Sequence, residues 1–336
     1  MIKRIGIIGG GAWGTALACA VAGAGAGADH DILLWARETE VVQAIQADHR
    51  NPLFLPGVTL PAAVRATGDL TEAAAADALL LVVPAQHFRH LARRLGPHLP
   101  SGVPLVICAK GIEQESGALM SEIVAAELPA ARVAVLSGPT FAIEVAQGLP
   151  TAVTLAAQDS ALGAKLVQAL GRPTFRPYLS DDPIGAEIGG AVKNVLAIAC
   201  GIVQGRELGD NARAALITRG LAEILRLGRA KGAHAETLMG LSGLGDLVLT
   251  CTGQKSRNFS LGIALGQGQS LDAATAGRRS VAEGATTAPA VVGLAERLGV
   301  EMPIAASVNA ILHHSASIDA TIEALLSRPF KSETPV

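Results

Sequence analysis

The chain has 336 residues, half of them apolar and 17% charged, with 27 Lys and Arg against 29 Asp and Glu for a formal net charge of −2. At roughly 100–200 residues per domain this length predicts two domains, and so apolar a composition excludes disorder for most of it. The near-neutral charge, with six Phe, two Trp and one Tyr, excludes nucleic-acid binding as the main activity, which needs basic patches and stacking rings.

Lys3 and Arg4 precede an uncharged run from Ile5 to Ala28 that has the look of a signal peptide or anchor. Its glycines fall instead where a nucleotide-binding turn needs them, so no membrane insertion is expected, and no other stretch approaches transmembrane length. Ile2–Ile8 predicts a strand, Gly9 to Gly14 a turn, Thr15–Ala22 a helix and Asp31–Trp35 a second strand. Leu79–Val83, Leu105–Ala109 and Val133–Leu136 are further strands, closed by Pro84, Lys110-Gly111 and Ser137-Gly138-Pro139. Ala-rich helical segments such as Phe88–Leu95 and Ala118–Leu128 lie between them. Short apolar strands alternating with helices mean crossover connections and a parallel sheet covered on both faces. Val153–Leu155 and the Phe175 region read as edge strands. From about Asp181 long helical stretches take over: Pro183–Gln204, Asn211–Lys231, Thr286–Leu298 and Ile304–His314. The chain therefore reads as α/β, with a Rossmann-like, mostly parallel sheet domain over residues 1–180, an all-helical domain over 181–330 and a frayed tail at 331–336.

Cys19, Cys108, Cys200 and Cys251 stand far apart without metal-ligand spacing and read as small buried residues in a reducing compartment, the cytoplasm. His87 and His90 share a helix face without a third ligand, so no metal is expected.

Five motifs carry chemistry. Gly9-x-Gly11-x-x-Gly14 sits between a strand and a helix. Its first glycine permits the tight turn, its second the approach of a pyrophosphate and its third close helix–strand packing. At the end of the second strand, where an acid usually meets the ribose of NAD, stands Arg37. A guanidinium matches phosphate oxygens, so Arg37 favours NADP(H) without excluding NAD(H), the other reading being a surface arginine paired with Glu38 or Glu40. Lys110 and Ser137-Gly138-Pro139-Thr140 end later strands, where open α/β sheets bind ligands. An ammonium and a helix amino terminus there point to an anionic substrate. Lys193 is the only charged residue from Ile188 through Gly205. A lysine among apolar neighbours must lower its pKa or find a partner, and such lysines make general acids and bases. Gly189 and Gly190 beside it predict close contact with the other domain or a ligand. Asp246 is an isolated acid between glycines and apolar residues, a natural partner for a lysine or a substrate hydroxyl. Ser256-Arg257-Asn258 offers hydroxyl, guanidinium and amide donors, a grip for phosphate.

With these motifs in order, the chain closely resembles the bacterial NAD(P)-dependent sn-glycerol-3-phosphate dehydrogenases. The resemblance runs from Trp13-Gly14-Thr15-Ala16-Leu17-Ala18 through Asn51-Pro52, Phe54-Leu55-Pro56-Gly57, Ala109-Lys110-Gly111-Ile112-Glu113, Gly138-Pro139-Thr140-Phe141-Ala142 and Gly190-Ala191-Val192-Lys193-Asn194. It continues through Asn211, Thr218-Arg219-Gly220-Leu221, Gly243-Leu244-Gly245-Asp246 and Ser256-Arg257-Asn258 to Val281-Ala282-Glu283-Gly284. It implies interconversion of dihydroxyacetone phosphate and sn-glycerol 3-phosphate, the backbone of glycerophospholipids. It also implies Lys193 as general acid/base and Lys110, Gly138, Thr140, Asp246, Ser256, Arg257 and Asn258 as substrate contacts. Trp13, Arg37, Lys110, Ala142, Arg257, Val281 and Glu283 would contact the cofactor, and a homodimer is implied. Two departures stand out. The turn reads Gly-Gly-Gly where the family often has Gly-Ala-Gly, a methyl without consequence, and the Ala-Gly-rich Gly23–Ala28 lengthens the approach to the second strand. A β-hydroxyacid dehydrogenase lacks a use for the phosphate grip, a non-catalytic nicotinamide sensor needs no Lys193, and a membrane-anchored protein needs the Ile5–Ala28 run for another purpose.

Overall fold

The computed structural model describes residues 2–22, 30–276, 282–330 and 332. Val281, residues 23–28 and the tail 331–336 apart from Ser332 lie outside the described residues.

Among the described residues ten strands form: β1 (Arg4–Ile8), β2 (Asp31–Trp35), β3 (Arg50–Asn51), β4 (Leu55–Thr59), β5 (Val64–Thr67), β6 (Ala78–Leu81), β7 (Pro104–Ile107), β8 (Arg132–Ser137), β9 (Thr151–Ala156) and β10 (Phe175–Ser180). Eight make one sheet in the order β10-β9-β8-β7-β6-β1-β2-β5, and β3 with β4 makes a separate ribbon. The six strands from β8 to β5 run parallel. β9 is antiparallel to β8, and β10 follows β9 in parallel. Only β10 is an edge there, because β9 lies between two strands, which corrects its reading as an edge strand. The sequence reading also missed β5, which closes the other edge.

Alternation explains why the strands read as unbroken apolar runs. Ile7, Leu34 and Leu80 enter one core, and Ile8, Leu33, Leu79 and Leu81 enter the other. Successive side chains point to opposite faces and helices cover both, so apolar residues fill both faces of the inner strands. The order reverses between β1 and β6, which opens a crevice at their carboxyl ends.

The helical half wraps one long central helix, Pro183–Gly205, buried from Gly185 to Ile202. Its length and mean hydropathy of 1.5 match a membrane span, contrary to the expectation that no second stretch would, but 94% of that window is buried inside the protein. Helix Arg257–Gly266 crosses it backbone to backbone. A Cβ on Gly201 would fall on the Phe259 carbonyl, and one on Gly262 on the Ile198 carbonyl. Gly205 and Gly266 repeat the contact one turn further on, as close helix crossings built on small residues do. Across the seam between the halves, Glu187 of the central helix accepts hydrogen bonds from Ser121 N at 2.9 Å and from Ser121 Oγ. Burial pushes its carboxyl up to about 7.

Candidate active site

The nucleotide turn follows β1 at the crevice. Gly9 has φ +132°, which an L side chain rarely adopts, and its Cβ would meet the Val82 carbonyl at 2.7 Å. A Cβ on Gly14 would fall on the Gly9 carbonyl, whereas one on Gly11 would meet nothing within 4 Å. The turn is thus closed toward the sheet and open toward the crevice, where the amino terminus of helix Ala12–Ala22 also points. Gly10 corrects the expectation of a methyl without consequence: a Cβ there would lie 2.5 Å from Ala36 Cβ, so this turn has no room for alanine as it stands. Trp13 Nε1 is buried without a hydrogen-bond partner. An orphaned donor beside an open, donor-rich turn fits a dinucleotide.

Asn51 was legible only within a longer string, yet it organises this turn. It is fully buried, and its Nδ2 donates to Gly10 O at 2.9 Å and Thr15 Oγ1 at 2.8 Å. Its Oδ1 accepts from Phe54 N at 3.1 Å, so the β3–β4 ribbon is stitched to the turn.

Arg37 stands just beyond β2, and its guanidinium pairs with Glu38 at 2.8 Å. Ala142 is half-buried and opens the short helix Ala142–Ala146. Glu283 is half-buried and opens helix Glu283–Arg297. Burial raises its carboxyl above the ordinary range, against the pull of Arg257, Lys193 and Lys110. Val281 lies outside the described residues.

The centre of the site is a carboxylate between two ammonium groups. Asp246 is fully buried and accepts from Lys193 Nζ at 2.6 Å on Oδ1 and from Lys110 Nζ at 2.7 Å on Oδ2. Lys110 also donates to the Gly138 carbonyl at 2.9 Å and reaches Thr140 Oγ1 at 3.4 Å. Lys193 further donates to Thr250 Oγ1 at 2.9 Å. Thr250 was missed; it sits four residues after Asp246 on helix Asp246–Thr252, the spacing that puts two side chains on one face. A π-helical turn, Leu241–Gly245, delivers Asp246 to this position, a device frequent at functional sites.

The paired glycines explain how the halves come so near. A Cβ on Gly189 would lie 2.6 Å from the Ser242 carbonyl in that π-helical turn, and one on Gly190 would lie 2.7 Å from Ser137 Oγ at the end of β8. The central helix is therefore pressed against both sources of the cluster. Burial pushes the Lys193 ammonium down to about 8; Asp246 opposes this, and the charge of Lys110 adds to it. A lysine held there exchanges protons near neutral pH, as a general acid/base must.

Ser256, Arg257 and Asn258 open helix Arg257–Gly266 with different roles. Ser256 caps it, its Oγ accepting from Phe259 N at 3.2 Å. Arg257 is exposed, and Glu283 feels its charge. Asn258 is more occupied than expected of a phosphate donor: its Nδ2 donates to Asn194 Oδ1 and its Oδ1 accepts from Gly284 N, each at 2.9 Å. Asn194, also missed, adjoins Lys193, so this chain of bonds links the loop of the grip, the lysine and the start of the Glu283 helix.

Two family models cover the chain. The NAD-dependent glycerol-3-phosphate dehydrogenase N-terminus matches residues 4–163 and the corresponding C-terminus residues 182–323. A glycerol-3-phosphate dehydrogenase [NAD(P)+] of Rhodospirillum rubrum is 61% identical over 334 residues, covering 99% of this chain and 95% of that protein. One of Parvibaculum lavamentivorans is 58% identical over 332 residues, covering 99% and 98%. The crystal structure of glycerol-3-phosphate dehydrogenase from Coxiella burnetii superposes with a TM-score of 0.92 at 40% identity, covering 97% of this chain and 99% of that one.

Proposed function

Since this chain belongs to the NAD-dependent glycerol-3-phosphate dehydrogenase family, we propose that it interconverts dihydroxyacetone phosphate and sn-glycerol 3-phosphate with NADP(H) or NAD(H). The observation that carries this reading is the Lys193–Asp246–Lys110 cluster, with Asn258, next to the exposed Arg257, hydrogen-bonded to Asn194, next to Lys193.

When bound, the nicotinamide supplies or takes up the hydride. Residues 1–180 would hold it, through Gly9, Gly11, Gly14 and the unpartnered Trp13 Nε1, with Ala142 alongside and Glu283 contributed by the helical residues. The helical residues 181–330 supply the acid/base. In reduction, negative charge grows on the ketone oxygen, and the Lys193 ammonium stabilises it and delivers its proton. In oxidation the neutral amine takes the hydroxyl proton. Asp246 keeps two ammonium groups together, and its bond to Lys193 fixes the direction of the proton. Lys110 adds positive charge where the oxygen becomes negative, and Gly138 and Thr140 hold its ammonium in place. Arg257, the amino terminus of its helix and Ser256 grip the phosphate, with Asn258 bracing them. Binding energy far from the reacting carbon then orients it.

The product supplies the backbone of glycerophospholipids, the four buried free cysteines suit the reducing cytoplasm, and a homodimer is the assembly the family resemblance supports. Absorbance of NADPH and NADH is followed as the purified protein meets dihydroxyacetone phosphate, with a β-keto acid in parallel. Oxidation with the phosphorylated ketone alone is the expected result. Turnover of the β-keto acid instead refutes the substrate class, and no turnover with either from folded protein refutes the enzyme reading of Lys193.

A further inference from the structure

The carboxyl end of β2 presents two opposite charges side by side. Arg37 extends outward with 75% of its side-chain surface exposed, and Glu38 beside it is 27% exposed. Nε and Nη2 of Arg37 both donate to one oxygen of Glu38, at 3.1 and 2.8 Å. Glu38 is also the amino-terminal cap of helix Thr39–Asp48, where a side chain commonly accepts from the first turn, yet its side chain makes no capping bond. One oxygen of its carboxylate takes both bonds from the arginine.

These two groups match the two possible riboses. A free 2′-hydroxyl donates to a carboxylate, and a 2′-phosphate takes a guanidinium. Whatever binds Arg37 must first separate it from Glu38. We propose that Glu38 sets the choice between the two dinucleotides, by holding the guanidinium that a 2′-phosphate has to win and offering its carboxylate to a 2′-hydroxyl. This rests on the reading above that the adenosine ribose lies at Arg37. Exposed ion pairs are weak, equivalent to about 2–5-fold in an equilibrium constant. Removing a negative charge beside a phosphate that carries nearly two adds to this, so about 3–10-fold in the ratio of the two affinities is expected. Glu40, in the first turn of the same helix, keeps its charge in the variants and is common to all arms.

The test measures Kd for NADPH and NADH by cofactor fluorescence in the wild type, Glu38→Gln, Arg37→Ala and the double variant, without turnover. Glu38→Gln is expected to shift the Kd ratio about 3–10-fold toward NADPH and Arg37→Ala to shift it toward NADH. In the Arg37→Ala background the glutamate substitution should move the ratio less than it does in the wild type, what remains being the carboxylate's own effect on the 2′-hydroxyl and 2′-phosphate. A ratio unchanged in Glu38→Gln but altered in Arg37→Ala overturns the role of Glu38 and leaves Arg37 at the phosphate. A ratio unchanged in Arg37→Ala overturns the placement of the ribose. An undiminished glutamate effect in the double variant overturns competition for the guanidinium.

Discussion

Asp246→Asn keeps the shape of the cluster and removes its countercharge. The amide oxygen can accept from one lysine, and its NH2 then faces the other, donor against donor. Two routes of relief compete. Leaving both lysines charged costs about 3–5 kcal/mol, the usual penalty for breaking a buried pair. Shedding the proton of Lys193 is cheaper, because its pKa is already about 8 and each unit from there to neutral pH costs about 1.4 kcal/mol. Without Asp246, which raises it, that pKa falls further, so the variant folds with a neutral lysine. The thermal midpoint should drop only a few degrees, at about 2–4 °C per kcal/mol. The proton donor for reduction is then scarce, and the preorganised charge at the ketone oxygen is lost, a term commonly worth about 10²–10³ in kcat. The assay is the pH dependence of dihydroxyacetone phosphate reduction at saturating cofactor. The basic limb, expected near pH 8 in the wild type, should move to lower pH as kcat at pH 7.5 falls about 10²–10³-fold. A variant keeping both the limb near its wild-type position and kcat within about threefold would show that the limb does not report Lys193, and would refute the reasoning.

Four other outcomes follow from the same geometry. In the wild type, reduction needs the protonated lysine and should decline as pH rises through about 8, while oxidation should rise through it; Lys193→Met should abolish both limbs and leave NADH affinity within about twofold, and equal loss of both properties would contradict the assignment. Arg257→Ala should raise KM for the phosphorylated ketone about 10–100-fold, the scale of a lost charged hydrogen bond, and an unchanged KM would remove Arg257 from the phosphate. Gly189→Ala gains up to about 1 kcal/mol of helix propensity, but its Cβ meets backbone in the Ser242–Gly243 turn. Overpacking of about 1–3 kcal/mol should win, visible as a lower melting temperature together with slower turnover. For Glu187, the folded pKa of about 7 lies above the ordinary glutamate value of 4.5. Its stabilising contribution is therefore present below pH 4.5 and lost as pH rises through 7. Glu187→Gln should gain stability over the wild type between pH 5 and pH 8, by up to ~3 kcal/mol, and equal differences at both pH values in urea titrations would argue against a titrating Glu187.

Parallel strands with two covered faces leave a plain trace, so Leu79, Leu80 and Leu81 announced β6 by composition alone. β4 left none, because Pro56 and Gly57 interrupt it and its burial does not alternate. The reversal of β9 was invisible for another reason: direction is set by how the chain crosses the sheet, and no residue in Thr151–Ala156 encodes it. In the site, Lys193 and Asp246 could be read because each is a lone charge in apolar sequence, where a charge demands a partner. Thr250 and Asn194 resemble any polar helix residue, and only their positions beside the two charges give them meaning. Asn51 is the harder case, since its partners Gly10 and Thr15 are far away in sequence and offer nothing more distinctive than a carbonyl and a hydroxyl.

The backbone crossing at Gly201 and Gly262 works as the pivot of a caliper. Lys193 lies two turns up one arm, and Arg257 begins the other. Where bulky side chains meet, a crossing can adjust by changing rotamers. Here main chain rests on main chain, and the opening between the jaws is fixed to within the play of a carbonyl contact. Such an instrument gauges length rather than polarity. If Lys193 and Arg257 hold the two ends of the substrate as proposed, a phosphate one methylene nearer to or farther from the reacting carbon suits one jaw at a time.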